Sequence, residues 1–92
     1  MIRSFKHAGL ERFFKTGSKA GIQPNHAKKL RILLTALDAA SNPKMMDGSG
    51  WGFHHLSGTL KGHWAVSVKG NWRITFTFHG EDAEIVDYLD DH

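Results

Sequence analysis

The chain has 92 residues, a formal net charge of +3 and no cysteine. This length predicts one domain, over residues 1–92, with a modest core, and the lack of cysteine excludes a disulfide framework or a thiolate zinc site. The apolar runs are too short to cross a membrane and the amino terminus has no apolar stretch like that of a signal peptide, so we expect a cytoplasmic protein with no membrane partner.

The amino-terminal half predicts one short strand and two helices. Residues 1–6 (MIRSFK) are typical of a strand. In residues 7–17 a leucine and two phenylalanines follow helical spacing, and a glycine ends the segment. In residues 24–41 four leucines form one stripe of a second helix, which Asn42 and Pro43 end. Both helices are amphipathic and need an apolar surface to pack against.

The carboxy-terminal half predicts strands joined by short turns. Residues 63–69, 72–78 and 83–89 alternate apolar and polar side chains, and residues 53–58 form a further short strand. Consecutive strands on short turns are antiparallel. The order β-α-α-β-β-β(-β) predicts an α+β fold with two helices on one face of a small antiparallel sheet.

Arg73 lies in the middle of the strand over residues 72–78, on its polar side. If helices cover one face of the sheet, the other face carries the polar set His63, Ser67, Lys69, Arg73, Thr75 and Thr77. Lys69 and Arg73 flank a turn, and we expect them to project from the same side as a cationic patch suited to phosphate. The alternatives are a solvated polar face, or an ion pair between Arg73 and Asp87 or Asp90.

The sequence contains seven histidines. His54 and His55 are adjacent on a predicted strand, so their side chains point to opposite faces and cannot easily bind the same metal ion. We therefore expect no metal and no other cofactor.

Cleavage of RNA without a metal needs a base for the 2′-hydroxyl, an acid for the leaving 5′-oxygen, and cations for the charge that develops on phosphorus. Histidine can fill both proton-transfer roles near neutral pH. His54 and His92, with Asp90 nearby and Arg73 with Lys69, would supply this set. A frayed terminus is the alternative for His92.

Four segments carry a family resemblance: MIRSFKHAGLERFF, FHHLSG, GHWAVSVKGNWRITFTF and EIVDYLDDH. Through them the chain resembles the HigB toxins of the RelE/ParE superfamily of bacterial toxin–antitoxin systems. The resemblance implies a RelE-like fold and cleavage of mRNA in the A site of the 70S ribosome, which stops translation. It also implies a HigA-type helix-turn-helix antitoxin as partner. The toxin would associate with operator DNA only through this antitoxin.

The same resemblance implies residue roles. His54, Arg73, Asp90 and His92 correspond to the active-site residues of such toxins, and Lys69 to a basic residue before the turn.

The chain departs from its relatives in two places. The loop after His54 holds Lys61 as its only cation, and Asp91 stands where relatives often have an aromatic residue that can stack on a base. We expect Lys61 and Lys69 to contact phosphate. We expect Tyr88, the nearest aromatic residue, or Trp51 to stack on a base.

Two other functions remain open. A ParE-like toxin shares the fold but acts on DNA gyrase, and needs no acid–base histidines. A non-catalytic RNA- or protein-binding module would use the basic face only to hold phosphates.

Overall fold

Two helices pack on one side of a four-stranded antiparallel sheet in the computed structural model, which describes residues 1–48 and 50–90. The strand order is the chain order, β1-β2-β3-β4. The elements are α1 (Ala8–Thr16), α2 (Ala27–Ala39), β1 (His54–His55), β2 (Trp64–Lys69), β3 (Trp72–His79) and β4 (Asp82–Asp90). The predicted α+β class with two helices and antiparallel strands is confirmed. Within the described ranges, no helix is long and apolar enough to cross a membrane.

The bounds of α1 are set by specific residues at both ends. At its start, Nδ1 of His7 accepts a hydrogen bond from the backbone N–H of Leu10, 3.0 Å away. At its end, Gly17 adopts a left-handed conformation, with φ of 81°, and donates its N–H to the carbonyl of Phe13. The helix buries Leu10 and Phe13 against the sheet side of the molecule.

The helix α2 begins three residues later than predicted. A short 3₁₀ turn over Pro24–His26 precedes it, and Pro24, which lacks an N–H, occupies the first position of that turn. From α2 the predicted leucine stripe enters the core, where it meets apolar side chains of the sheet. The largest of these buried side chains are Leu30, Leu33, Leu34, Leu37, Val66, Ile74, Phe76 and Val86.

The predicted first strand, residues 1–6, lies beside β4 but pairs with it only through two isolated parallel bridges. These join Ile2 to Ala83 and Phe5 to Val86. The interruption coincides with a bulge in β4, where Ile85 and Val86 both face Phe76 of β3. Continuous pairing is therefore not available to the amino-terminal segment.

A second bulge, in β2, determines which side chains share a face. Two residues, Gly70 and Asn71, join β2 to β3, so Lys69 pairs with Trp72. The extra residue Val68 then shifts the pairing, and Ser67 lies opposite Arg73. The shift keeps the buried valines of β2 on the helix side. The prediction that Lys69 projects with Arg73 is wrong, because the bulge breaks the alternation on which it depended.

Candidate functional site

The sheet face away from the helices carries a pocket of about 200 Å³. Arg73 and Leu89, which are cross-strand partners, contribute to it. The chain between β1 and β2 covers part of this face, so that Thr75 is only 3% exposed and Ala65 is fully buried. The residues that line the pocket are Leu56, Leu60, Arg73, Thr75, Leu89 and Asp90. The open face is therefore a shallow site with apolar walls and charged groups, rather than a uniformly solvated surface.

Arg73 is held at this pocket by both its backbone and its side chain. Its neighbours in β3, Trp72 and Ile74, point to the helix side, where Ile74 is 1% exposed. The guanidinium Nη1 donates a hydrogen bond to Oγ of Ser67, 2.9 Å away. A guanidinium held in this way lies at the pocket in a fixed orientation, and its planar fork matches the oxygens of a phosphate.

His54 lies on the same face, one row of side chains away from Arg73. It pairs with Ala65, which in turn pairs with Thr75 of the pocket. Two strand spacings of about 4.8 Å therefore separate His54 from Thr75, roughly 10 Å in all.

The ring of His54 has a defined hydrogen position. Its Nδ1 lies 2.7 Å from the carbonyl oxygen of Gly52. A carbonyl oxygen can only accept, so Nδ1 carries the hydrogen and Nε2 is the nitrogen that remains for proton transfer. The side chain is exposed, so a substrate can reach it.

His55 occupies the opposite face of the sheet, as the alternation predicts. Its ring stacks on Trp64 with centroids 4.2 Å apart, and Trp64 stacks on Phe53 at 5.1 Å. Among the residues that the structure describes, no three His, Asp or Glu side chains are grouped to hold a metal ion.

The two lysines predicted to contact substrate lie apart from each other. Lys61 is exposed and directly follows Leu60, at the edge of the pocket. Lys69 shares a face with Trp72 and lies close enough to His26 for its charge to act on that ring. Burial first, and the Lys69 charge second, lower the pKa of His26 below its ordinary value.

Tyr88 lies on the helix side of β4 and is 4% exposed. Its hydroxyl lies 2.6 Å from Nδ1 of His26 and accepts a longer bond from the backbone N–H of Gln23. Burial raises the pKa of the Tyr88 hydroxyl. The strand alternation that turns Tyr88 toward the helices turns Leu89 toward the pocket, so the predicted contact of Tyr88 with a base does not fit its position.

Asp90 is the last described residue of β4. It is exposed and borders the same pocket as Arg73. Its register partner is Trp72, so it reaches the pocket from the end of β4 and not from the row of side chains that holds Arg73 and Leu89. The predicted site residue His92 lies outside the described residues, as does Asp91. The structure thus brings Arg73 and Asp90 to one pocket and sets His54 beside it on the same face.

Several residues at the site carry no predicted role. Ser67 was predicted only as part of the polar face, and its pairing with Arg73 depends on the bulge at Val68. Leu56 and Leu60 come from a segment whose path over the sheet has no periodic signal in the sequence. Gly52, which holds His54, could have been suspected only as one of several glycines in a loop.

Two comparisons with known proteins extend over all of the candidate site residues. A family model described as "RelE-like toxin of type II toxin-antitoxin system HigB" matches residues 3–92. A protein of Proteus vulgaris named Endoribonuclease HigB is 37% identical over 92 residues, which is 100% of both chains. The match runs without truncation through every element that builds the pocket.

Proposed function

The chain belongs to the HigB-like toxins, the RelE-like toxins of type II toxin–antitoxin systems, and on this premise we propose that it is an endoribonuclease that cuts mRNA in the ribosomal A site. The full-length relative that is named an endoribonuclease supports the activity. Membership of the family implies an antitoxin partner. The site assignment and the ribosome dependence are our proposals, and the ring of His54 is the observation that carries the site assignment.

In the proposed mechanism, Nε2 of His54 takes the proton of a 2′-hydroxyl. The 2′-oxygen attacks the adjacent phosphorus, and the bond from phosphorus to the 5′-oxygen breaks, which leaves a 2′,3′-cyclic phosphate. The Gly52 carbonyl fixes Nδ1–H and stabilises the imidazolium that forms. His92 is the proposed acid that protonates the leaving 5′-oxygen.

Arg73 is the proposed stabiliser of the charge that develops on the phosphate oxygens. Its guanidinium is already bound to Ser67, so it loses little side-chain freedom when phosphate arrives. Asp90, in the same pocket, is proposed to orient the acid. Lys61, at the edge of the pocket, is proposed to contact a neighbouring phosphate. Lys69 lies on the face of Trp72, so it is proposed to contact the RNA backbone only beyond the pocket, at the turn end of the sheet.

The proposed partners follow from this function. They are mRNA on the 70S ribosome in the cytoplasm, and a HigA-type helix-turn-helix antitoxin through which the protein meets operator DNA. Neither action on DNA gyrase nor non-catalytic binding would need Nε2 of His54 exposed beside the pocket that holds Arg73.

The test is cleavage of a defined mRNA bound to purified ribosomes. We expect wild-type protein to cut it, and His54→Ala, Arg73→Ala and His92→Ala each to cut about 10²-fold to 10⁴-fold more slowly. His79→Ala and Arg12→Ala are matched controls, because both side chains are exposed and outside the residues that line the pocket.

Thermal unfolding of each variant separates loss of chemistry from loss of fold. Cleavage of the same RNA without ribosomes at an equal rate would contradict ribosome dependence. No cleavage by wild-type protein, with inhibition of gyrase instead, would contradict the nuclease function itself.

A further inference from the structure

Ser67 and Gly52 lie between the two groups to which the chemistry is assigned. Oγ of Ser67 accepts the hydrogen bond from Arg73, and the carbonyl of Gly52 accepts the one from His54. Ser67 also donates its backbone N–H to the carbonyl of Trp51, 2.7 Å away. The loop before β1 is therefore bound to the middle of β2 at one residue, directly beside Arg73.

A side chain at Gly52 would press on the hydroxyl of Ser67. A Cβ built on Gly52 would lie 2.9 Å from Oγ of Ser67, and Gly52 has a φ of +62°, a conformation that glycine adopts without strain. The absence of a side chain thus lets the loop approach the Ser67 hydroxyl while its carbonyl faces His54. Hydrogen bonds join His54 to Gly52 and Arg73 to Ser67, and the bond from Ser67 to the Trp51 carbonyl holds these two pairs side by side.

We propose that Ser67 and Gly52 are a positioning pair, which fixes the guanidinium of Arg73 relative to the ring of His54. This inference rests on the proposed nuclease function of the same pocket. Neither residue touches the reacting atoms. Ser67 sets the direction of the Arg73 fork, and Gly52 sets both the hydrogen position of His54 and the distance between the loop and β2.

A purely structural role for Ser67 makes a different prediction. If Ser67 only joins the loop to the sheet, its backbone N–H does this work and survives replacement by alanine. Removal of the hydroxyl would then leave cleavage unchanged, or would lower it together with stability.

A double-mutant cycle distinguishes these roles on ribosome-bound mRNA. We expect Ser67→Ala to cleave at least about tenfold more slowly in single turnover, because a hydrogen bond to a charged group is lost. In an Arg73→Ala background we expect the same change to have less than about a twofold effect, since Ser67 acts through Arg73. Ser67→Thr, which keeps the hydroxyl, should restore most of the rate.

A pair of glycine variants tests the second half of the proposal. Gly52 and Gly80 have nearly equal φ, +62° and +61°, but nothing lies within 4 Å of a Cβ on Gly80. Both alanine variants therefore carry similar backbone strain, and only Gly52→Ala presses on Ser67. We expect cleavage to fall at least about tenfold in Gly52→Ala and less than about twofold in Gly80→Ala.

An NMR measurement gives a readout that does not depend on activity. The rotation of the Arg73 guanidinium should be faster in Ser67→Ala than in wild type. The positioning role alone would be overturned if wild-type protein and Ser67→Ala cleaved at the same rate. It would also be overturned if Ser67→Ala lowered the rate by the same factor in the wild-type and Arg73→Ala backgrounds. An inactive wild-type protein would instead overturn the nuclease function, and the role of the pair in cleavage with it.

Discussion

At the residue scale, the position of Arg73 in the middle of a strand has a physical consequence. Its neighbours Trp72 and Ile74 face the helices, so the backbone under the guanidinium is held by the core. Strand alternation alone predicted that Arg73 would project from the open face, because β3 is regular from Trp72 to Thr75. The hydrogen bond to Ser67 could not be predicted, since it depends on a bulge in the neighbouring strand.

The lowered pKa of His26 predicts a stability that depends on pH. Burial, then the charge of Lys69, lower the pKa of His26 below 6.5, its ordinary value. The Trp72 ring and the Tyr88 hydroxyl both contact His26, and the His7 ring contacts the ring of Tyr88. The unfolded chain therefore binds a proton at higher pH than the folded protein does, and the contribution of neutral His26 is lost as pH falls below 6.5.

We expect the free energy of unfolding to decrease as pH falls from about 7 toward 5, and to decrease less steeply in His26→Gln. The measurement is urea denaturation at several pH values. His79→Gln is the matched control, because His79 is exposed at the far end of β3. Identical pH slopes for wild type and His26→Gln would show that His26 is not responsible.

At the element scale, periodicity located the helices and strands better than it located their irregularities. The leucine stripe of α2 and the alternation in β3 are repeated signals, and both were predicted. The bulge at Val68 is a single extra residue with no signature in the sequence, yet it moves Lys69 to the face of Trp72. The predicted cationic pair of Lys69 and Arg73 was therefore wrong, although the strand β2 itself was predicted correctly.

The bulge in β4 leaves a residue under strain. Ile85 has a φ of 55°, which is unfavourable for a β-branched side chain, and it is 43% exposed. Asparagine tolerates this conformation better, so we expect Ile85→Asn to raise the free energy of unfolding by about 1 kcal/mol. Urea denaturation measures this change.

Ile85→Val keeps both the β-branching and the strain, and we expect it to unfold with wild-type stability or slightly below. If Ile85→Asn lowered the free energy of unfolding more than Ile85→Val does, the prediction would be contradicted. The packing of the isoleucine side chain would then stabilise the protein more than the backbone strain destabilises it.

At the scale of the whole molecule, the fold was more predictable than the pocket. Two amphipathic helices and antiparallel strands have few ways to bury their apolar faces, so their order limits the architecture. The pocket depends on the path of the segment that supplies Leu56 and Leu60, and this segment has no hydrophobic period. The chemistry of metal-free RNA cleavage and the resemblance to HigB toxins both predicted roles for His54 and Arg73, and the family match confirms the resemblance.

The most direct test of the central claim is to map new 5′ ends of mRNA in bacteria within minutes of inducing the protein. We predict ends inside translated reading frames, which disappear when translation is blocked and when Arg73→Ala or His92→Ala replaces the wild type. Arg12→Ala should give the wild-type pattern. Growth arrest with intact messages, or new ends that persist when translation is blocked, would contradict a ribosome-dependent nuclease at this pocket.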